Sequence, residues 1–324
     1  MRRLPRFPLA MLPTPLQRAR RLEAELGSPP IWIKRDDLVG FALAGNKARK
    51  LEFLVGDAHQ RGCDVLLTGG GPGSNHCQAA AAAARVAGLG CRLVLYGSEP
   101  ARPPSNLRLA RAFGAEVTFT GDPERGSVDR GLERAAQALR ADGGTPAVIP
   151  RGGATALGAV GYALAAGELA GQLEAAGVGA ATVVVANGSS GTQAGLVAGA
   201  VGRPWRIVGA VTSRDPAVSR GRVLELSTGC AELLGTAAPE RGAVEVREAR
   251  GPGYGRPSPE GLEAAALAAR TEGLLLDPVF TAKAMSTLVE LVGEGAEGPF
   301  VFVHTGGVPA MLDGLPIDDE GGTR

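Results

Sequence analysis

Strand-like and helix-like stretches alternate along nearly the whole chain, and this constrains the fold more than any other feature. Ile31–Lys34 alternates like a half-buried strand, and residues 65–68 form a strand leading through a glycine cluster into a helical run at 78–87. The strand 91–96, a proline-rich loop at 100–104, a helix at 106–113, the strand Glu116–Phe119, a helix at 129–141 and a short strand at 147–149 complete the first half. In the second half come a helix at 158–176, a strand at 182–185, a helix at 193–200, a strand at 206–211, helices at 258–272 and 281–292, and a last strand, Phe300–Val303. The pattern predicts an α/β protein with parallel-rich sheets flanked by helices. In such sheets ligands bind beyond the carboxyl ends of strands, so the loops after the strands are where chemistry is expected.

Composition narrows the class. Lys+Arg 34 against Asp+Glu 33 gives a net charge of +1, which offers no field for nucleic acid or an anionic membrane. No apolar run approaches the ~18 residues of a membrane span, and the prolines of Leu4-Pro5-Arg6-Phe7-Pro8 break the start before a secretory core develops. Cys63, Cys77, Cys91 and Cys230 have no CxxC or Cys/His ligand spacing and read as reduced, buried thiols of a cytoplasmic protein. His59, His76 and His304 are too few and too scattered for a histidine-based metal site, so no metal is expected. The acidic, glycine-containing tail 318–322 is expected to be disordered.

A lysine stands out in the stretch Gly45-Asn46-Lys47-Ala48-Arg49-Lys50-Leu51-Glu52. At ~100° per residue, Leu51, Leu54, Val55 and Ala58 form one apolar stripe, with Lys47 in its middle, Lys50 at its edge and Arg49 on the far side. A lysine aimed at a core loses its charge readily and becomes an amine nucleophile able to form a Schiff base. The alternative is that Lys47, in the first turn, snorkels out past the helix end.

Three strand-end loops accompany it. In Thr68-Gly69-Gly70-Gly71-Pro72-Gly73-Ser74-Asn75-His76, glycines allow close backbone approach to a ligand. Ser74 and Asn75 could equally serve as helix caps, with Gln78 completing a capping box. In Ala186-Asn187-Gly188-Ser189-Ser190-Gly191-Thr192, small residues and three hydroxyls at a helix start make a nest for a phosphate monoester, without the lysine of a P-loop. His304-Thr305-Gly306-Gly307 places a hydroxyl at the end of the last strand, or is simply a turn. Together, a buried lysine, a phosphate nest and hydroxyl-bearing glycine loops match the needs of a pyridoxal 5'-phosphate enzyme. The glycine spacing does not fit GxGxxG, which argues against the nicotinamide-dependent Rossmann alternative.

The chain resembles the D-cysteine desulfhydrase and 1-aminocyclopropane-1-carboxylate deaminase family, of the two-domain tryptophan synthase β-like fold (fold type II). The resemblance runs through Leu12-Pro13-Thr14-Pro15-Leu16, Lys34-Arg35-Asp36-Asp37-Leu38, the lysine stretch and Ser74-Asn75-His76. It continues through Gly188 to Thr192, Gly251-Pro252-Gly253-Tyr254-Gly255, Leu276-Asp277-Pro278-Val279-Phe280-Thr281 and His304-Thr305-Gly306-Gly307. It implies that Lys47 is the Schiff-base lysine and moves the α-proton, that Asn75 bonds the cofactor's phenolic oxygen, and that Gly188, Ser189, Ser190, Gly191 and Thr192 hold its phosphate. Ser74 would meet the substrate carboxylate or assist proton transfer. Tyr254 would cover the substrate, in a pocket with Asn75, His76 and Phe280. Residues 44–158 are expected to form the smaller domain carrying the lysine, and 1–43 with 159–324 the larger, discontinuous one. A homodimer is implied as well.

Two positions separate the family's branches. The cyclopropane deaminases place a glutamate where this chain has Thr281, and Thr305 stands where desulfhydrase-like members place the partner of the pyridine nitrogen. A neutral partner makes a weaker electron sink, which favours β-elimination from a small β-substituted amino acid, D-cysteine to pyruvate, sulfide and ammonia, over ring opening. Phe280 departs from the tyrosine usual in both branches. That departure keeps other readings open: cyclopropane deamination, a cysteate-type sulfo-lyase, β-replacement, racemisation, or pyridoxal phosphate binding without catalysis.

Overall fold

The computed structural model describes residues 4–313, so the acidic tail at 318–322 lies outside the described residues. Among the described residues, ten strands form two sheets. The larger, six-stranded sheet runs β1 (Leu16–Arg18), β2 (Ile31–Lys34), β10 (Phe300–Val303), β7 (Ala181–Asn187), β8 (Trp205–Val211), β9 (Glu245–Glu248). The smaller runs β5 (Glu116–Phe119), β4 (Gly90–Leu95), β3 (Val65–Gly70), β6 (Pro146–Val148). Every pairing is parallel except that of β1 with β2. The helices are α1 (Arg20–Leu26), α2 (Asn46–Gln60), α3 (Asn75–Val86), α4 (Ser105–Ala112), α5 (Ser127–Ala141), α6 (Ala156–Ala175), α7 (Gly191–Gly199), α8 (Pro216–Leu234), α9 (Pro259–Glu272), α10 (Thr281–Gly293) and α11 (Val308–Leu312). None is long and apolar enough to cross a membrane among the described residues.

The two-residue alternation of a strand sorts the core into layers. In the large sheet Val183, Val185, Val301 and Val303 face α6, α7 and α8, while Val184, Val208, Phe300 and Phe302 face α9 and α10. In the small sheet Leu66, Leu93 and Leu95 pack on α2 and α3, and Val65, Leu67 and Val94 on α5. Both faces of each sheet are therefore covered, as parallel sheets require. The four cysteines are free and buried.

Elements without a strong apolar rhythm escape a reading of the sequence. β9 is Glu-Val-Arg-Glu at a sheet edge. The buried stripe of α8 includes Ser219 and Ser227, which hides its helical period, although Asp215 caps it and Pro216 opens it. The short elements β1, α1 and α11 were likewise not apparent.

Helix α2 corrects the single-stripe picture. Leu51, Val55 and Ala58 are fully buried as expected, but Arg49 and Lys50 are buried too, at 2% and 1% exposure. The far side of α2 meets α6 rather than water. There the Arg49 guanidinium bonds Asp36 at 2.9 Å and Glu168 at 2.9 Å, while Lys34 Nζ reaches Glu168 at 2.5 Å. Thr14 and Tyr162 donate their hydroxyls to Asp36. Burial pushes the Glu168 carboxyl up, but Arg49 and Lys34 outweigh it and hold it at about 2. This network ties α2 to the large sheet and fixes the helix that carries Lys47.

Candidate active site

Segments that follow the eight strands β3 to β10, with the start of α2, converge on one cleft of about 970 Å³, counted out to the solvent at its open side. Lys47, Ser74, Asn75, His76, Gly188, Ser189, Ser190, Thr192, Tyr254, Phe280 and Thr305 all line it. Residues up to 258 positions apart in the chain, Lys47 to Thr305, are thus brought together. Gly191 alone of the expected site residues lies behind the wall. A Cβ there would sit 2.9 Å from Lys50 Nζ and 3.3 Å from the Ala154 backbone, so a larger residue would displace the Lys50 amine.

Lys47 points into this cleft and does not snorkel past the helix end. Its Nζ donates to Asn46 Oδ1 at 2.7 Å, and Asn46 Nδ2 in turn donates to Thr192 Oγ1 at 2.8 Å. Burial lowers its ammonium from 10.5 to about 8, with the Asp277 carboxylate opposing. The helix start is set by Gly45, which has φ +53 and only 2.2 Å between a would-be Cβ and Thr305 O. Asn46 N donates to that same carbonyl at 2.9 Å, so the lysine and the Thr305 loop are positioned as a unit.

The loop before α7 offers donors suited to an anion, though not quite as its hydroxyls suggest. Ser190 has φ 73 and gives its hydroxyl to Asn187 Oδ1 at 3.1 Å, while Thr192 Oγ1 accepts from Asn46 and keeps its hydroxyl proton for a ligand. What remains for a ligand is Ser189, the Thr192 hydroxyl proton and the first N–H groups of α7, which have no acceptor within the helix. A lysine is nevertheless present, from α2: Lys50 Nζ lies beside Gly191 and donates to Gly152 O at 3.3 Å. Its pKa is pushed well below the usual lysine range by burial and by Lys47. Lys50 was assigned no role from the sequence; its place one helical turn after Lys47 was the available signal.

Ser74 caps α3, accepting from Cys77 N at 3.2 Å, which leaves its hydroxyl proton free for a ligand. The expected capping box does not form. Gln78 instead sends its Nε2 to Ala42 O at 2.6 Å, because the cap falls on Ser74 and not on Asn75. Asn75 Oδ1 accepts from Asn106 Nδ2 at 2.7 Å, turning the Asn75 amide group into the free donor. His76 is fully enclosed. The Thr68 hydroxyl donates to Ile149 O, so it accepts from His76 Nε2–H, and Nδ1 is left as an unpaired acceptor. Burial, Lys47 and Lys50 lower the imidazole to about 3, so it stays neutral.

Asp277 is the one carboxylate among the described residues lining the cleft. Burial raises it, against bonds from the Thr281 hydroxyl at 2.7 Å and from the backbone N–H groups of Val279 and Phe280. Thr281 is therefore turned onto Asp277, and it is Thr305 whose side faces the cleft. Phe280 stands edge-on to Tyr254, ring centroids 6.2 Å apart. A titratable amine, a helix start with free N–H groups for a phosphate and a hydroxyl wall are the donors that pyridoxal phosphate requires.

Residues 8–306 match the family described as "Pyridoxal-phosphate dependent enzyme". The chain belongs to that family. Among curated relatives, D-cysteine desulfhydrases of Salmonella newport (strain SL254) and Salmonella choleraesuis (strain SC-B67) are each 40% identical over 326 residues, 96% of either chain. A solved structure described as an ACC deaminase homologue superposes with a TM-score of 0.88 at 37% identity, covering 95% of this chain and 93% of that one. The chain is thus a pyridoxal phosphate-dependent enzyme.

Proposed function

We propose that the protein eliminates the β-substituent of a small amino acid in the manner of a D-cysteine desulfhydrase. D-cysteine and water would give pyruvate, hydrogen sulfide and ammonia. The observation that carries this reading is the neutral hydroxyl wall: Thr305 faces the cleft, and the one lining carboxylate among the described residues, Asp277, is held by the Thr281 hydroxyl and three backbone N–H groups. The curated relatives named above support it.

Each residue has a part in this reading. Lys47 supplies the amine that holds the cofactor's aldehyde and the base that takes the α-proton on Nζ; a pKa of about 8 keeps a usable fraction unprotonated near neutrality. Gly188 to Thr192, with Lys50 beside them, hold the phosphate, and Asn75 donates its amide to the phenolic oxygen. Ser74 gives its hydroxyl to the substrate carboxylate at the start of α3, and Tyr254 closes the substrate side. When bound, pyridoxal phosphate draws electrons from the substrate's α-carbon, which is what makes the α-proton removable. Residues 44–158 act as the smaller domain against 1–43 and 159–324, with the cleft between the two sheets. A cytoplasmic homodimer completes the proposal.

The test is sulfide and pyruvate release from D-cysteine by the cofactor-loaded protein. Release of both in equal amounts supports elimination. The second reading, ring opening of 1-aminocyclopropane-1-carboxylate, is favoured by the likeness to the ACC deaminase homologue. Ammonia and 2-oxobutanoate from that substrate, with no sulfide from D-cysteine, would replace the first reading by the second.

A further inference from the structure

The mouth of the cleft carries more positive charge than the cofactor's phosphate calls for. Arg125, Arg151 and Arg214 all line it. Arg151 is paired with Asp129 at 2.7 Å. Among the described residues, no carboxylate lies within ion-pairing distance of Arg125 or Arg214. Arg125 instead stacks on Tyr254, its Cζ 3.8 Å from the ring centroid, and Arg214 Nη1 donates to Gly188 O at 3.0 Å. Burial, then Arg222, Arg151 and Arg125, lower the Arg214 guanidinium, with the Asp129 carboxylate opposing. Two guanidinium groups sharing a half-desolvated mouth are stabilised by an anion that arrives with the ligand.

Resting on the elimination reading, we propose that the preferred substrates are amino acids whose β-substituent is itself an anion, such as a sulfonate, a thiosulfonate ester or a phosphate ester, read by Arg125 from its place on Tyr254. In the elimination reading the α-carboxylate is met by Ser74 at the start of α3, so the second charge falls to the arginines. Phe280 agrees with this assignment. A departing sulfide gains from a proton donor, and the Phe280 ring, beside Tyr254, offers none. Sulfite or phosphate leaves as a stable anion and needs no such donor. For cysteate the α-C–H and the C–S bonds break, the electron pair of the C–S bond leaves with sulfite, and the α-proton goes to Lys47. Water then hydrolyses the resulting enamine, after tautomerisation, to pyruvate and ammonia.

The experiment compares the cofactor-loaded wild type with Arg125→Gln on cysteate, S-sulfocysteine, O-phosphoserine, cysteine and the neutral-substituent β-chloroalanine, each as both enantiomers. Calorimetric binding of 3-sulfopropionate, which lacks the reacting amine, is measured in parallel. The expected result is a kcat/KM for at least one anionic substrate tenfold or more above that for cysteine. The ratio of that value to the β-chloroalanine value falls at least tenfold in Arg125→Gln, mainly through KM, together with 3-sulfopropionate affinity. The relative rates of the three anionic substrates identify which anion the mouth fits. An unmoved ratio would mean that Arg125 only props Tyr254, and the proposal fails. Pyruvate from β-chloroalanine but from no anionic substrate overturns this proposal and leaves elimination standing. Absence of pyruvate from every substrate, with 3-sulfopropionate still bound through Arg125, supports the anion site and removes the elimination reading.

Discussion

The ionisation of Lys47 makes the sharpest quantitative prediction. Burial in the cleft lowers its ammonium to about 8, where an unperturbed lysine sits at 10.5. Only the neutral amine attacks an aldehyde. At pH 7 about a tenth of the molecules then carry the reactive amine, against roughly one in three thousand for an unperturbed lysine, a difference of about 300-fold. Apoenzyme mixed with pyridoxal phosphate in a stopped-flow cell, across pH 6 to 10, should show an imine-band rate that rises about tenfold per pH unit and flattens near 8. Lys47→Arg, which keeps the charge and removes the nucleophile, should give no band. A rate still rising steeply above pH 9 would refute the reasoning, because the cleft would then not be depressing the lysine at all.

Three further perturbations bear on the frame of the site. Arg49→Ala leaves the buried Asp36 carboxylate without its guanidinium and should cost about 3–5 kcal/mol in chemical denaturation; a loss below about 1 kcal/mol would show that the network does not anchor α2. Gly191→Ala places a methyl 2.9 Å from Lys50 Nζ and should weaken pyridoxal phosphate affinity at least tenfold by absorbance titration, with unchanged affinity contradicting the anion site. Phe280→Tyr restores a hydroxyl beside Tyr254 and should raise sulfide release from D-cysteine by tenfold or more; no gain would mean that the missing hydroxyl does not limit that reaction.

How much of this was legible in the sequence follows from where the physical signal lay. The apolar strands of the sheet centres, such as Phe300–Val303, announce themselves because both faces are buried. The polar edge strand β9 does not, since at an edge the backbone pairs without needing apolar side chains. The loops that line the cleft were visible as glycine and hydroxyl clusters at strand ends. The partners that finish them were not. Lys50 and Arg49 look like an ordinary charged helix surface until α6 and α7 are packed against them. Asn46, which joins Lys47 to Thr192, acts across 146 residues of separation, and the Arg125–Tyr254 stack depends on a loop meeting a segment far along the chain. A one-dimensional period records which face is apolar, but not which polar groups will meet when two sheets close on each other.

The most direct measurement of the central claim is the absorbance spectrum of the protein reconstituted with pyridoxal phosphate, wild type beside Lys47→Ala, before and after addition of D-cysteine. The expected result is an imine band in the wild type that changes on adding D-cysteine, with pyruvate accumulating, and neither the band nor pyruvate in Lys47→Ala. An imine band that persists in Lys47→Ala together with continued pyruvate release would move the chemistry to another amine, Lys50 first among them, and contradict the assignment of Lys47.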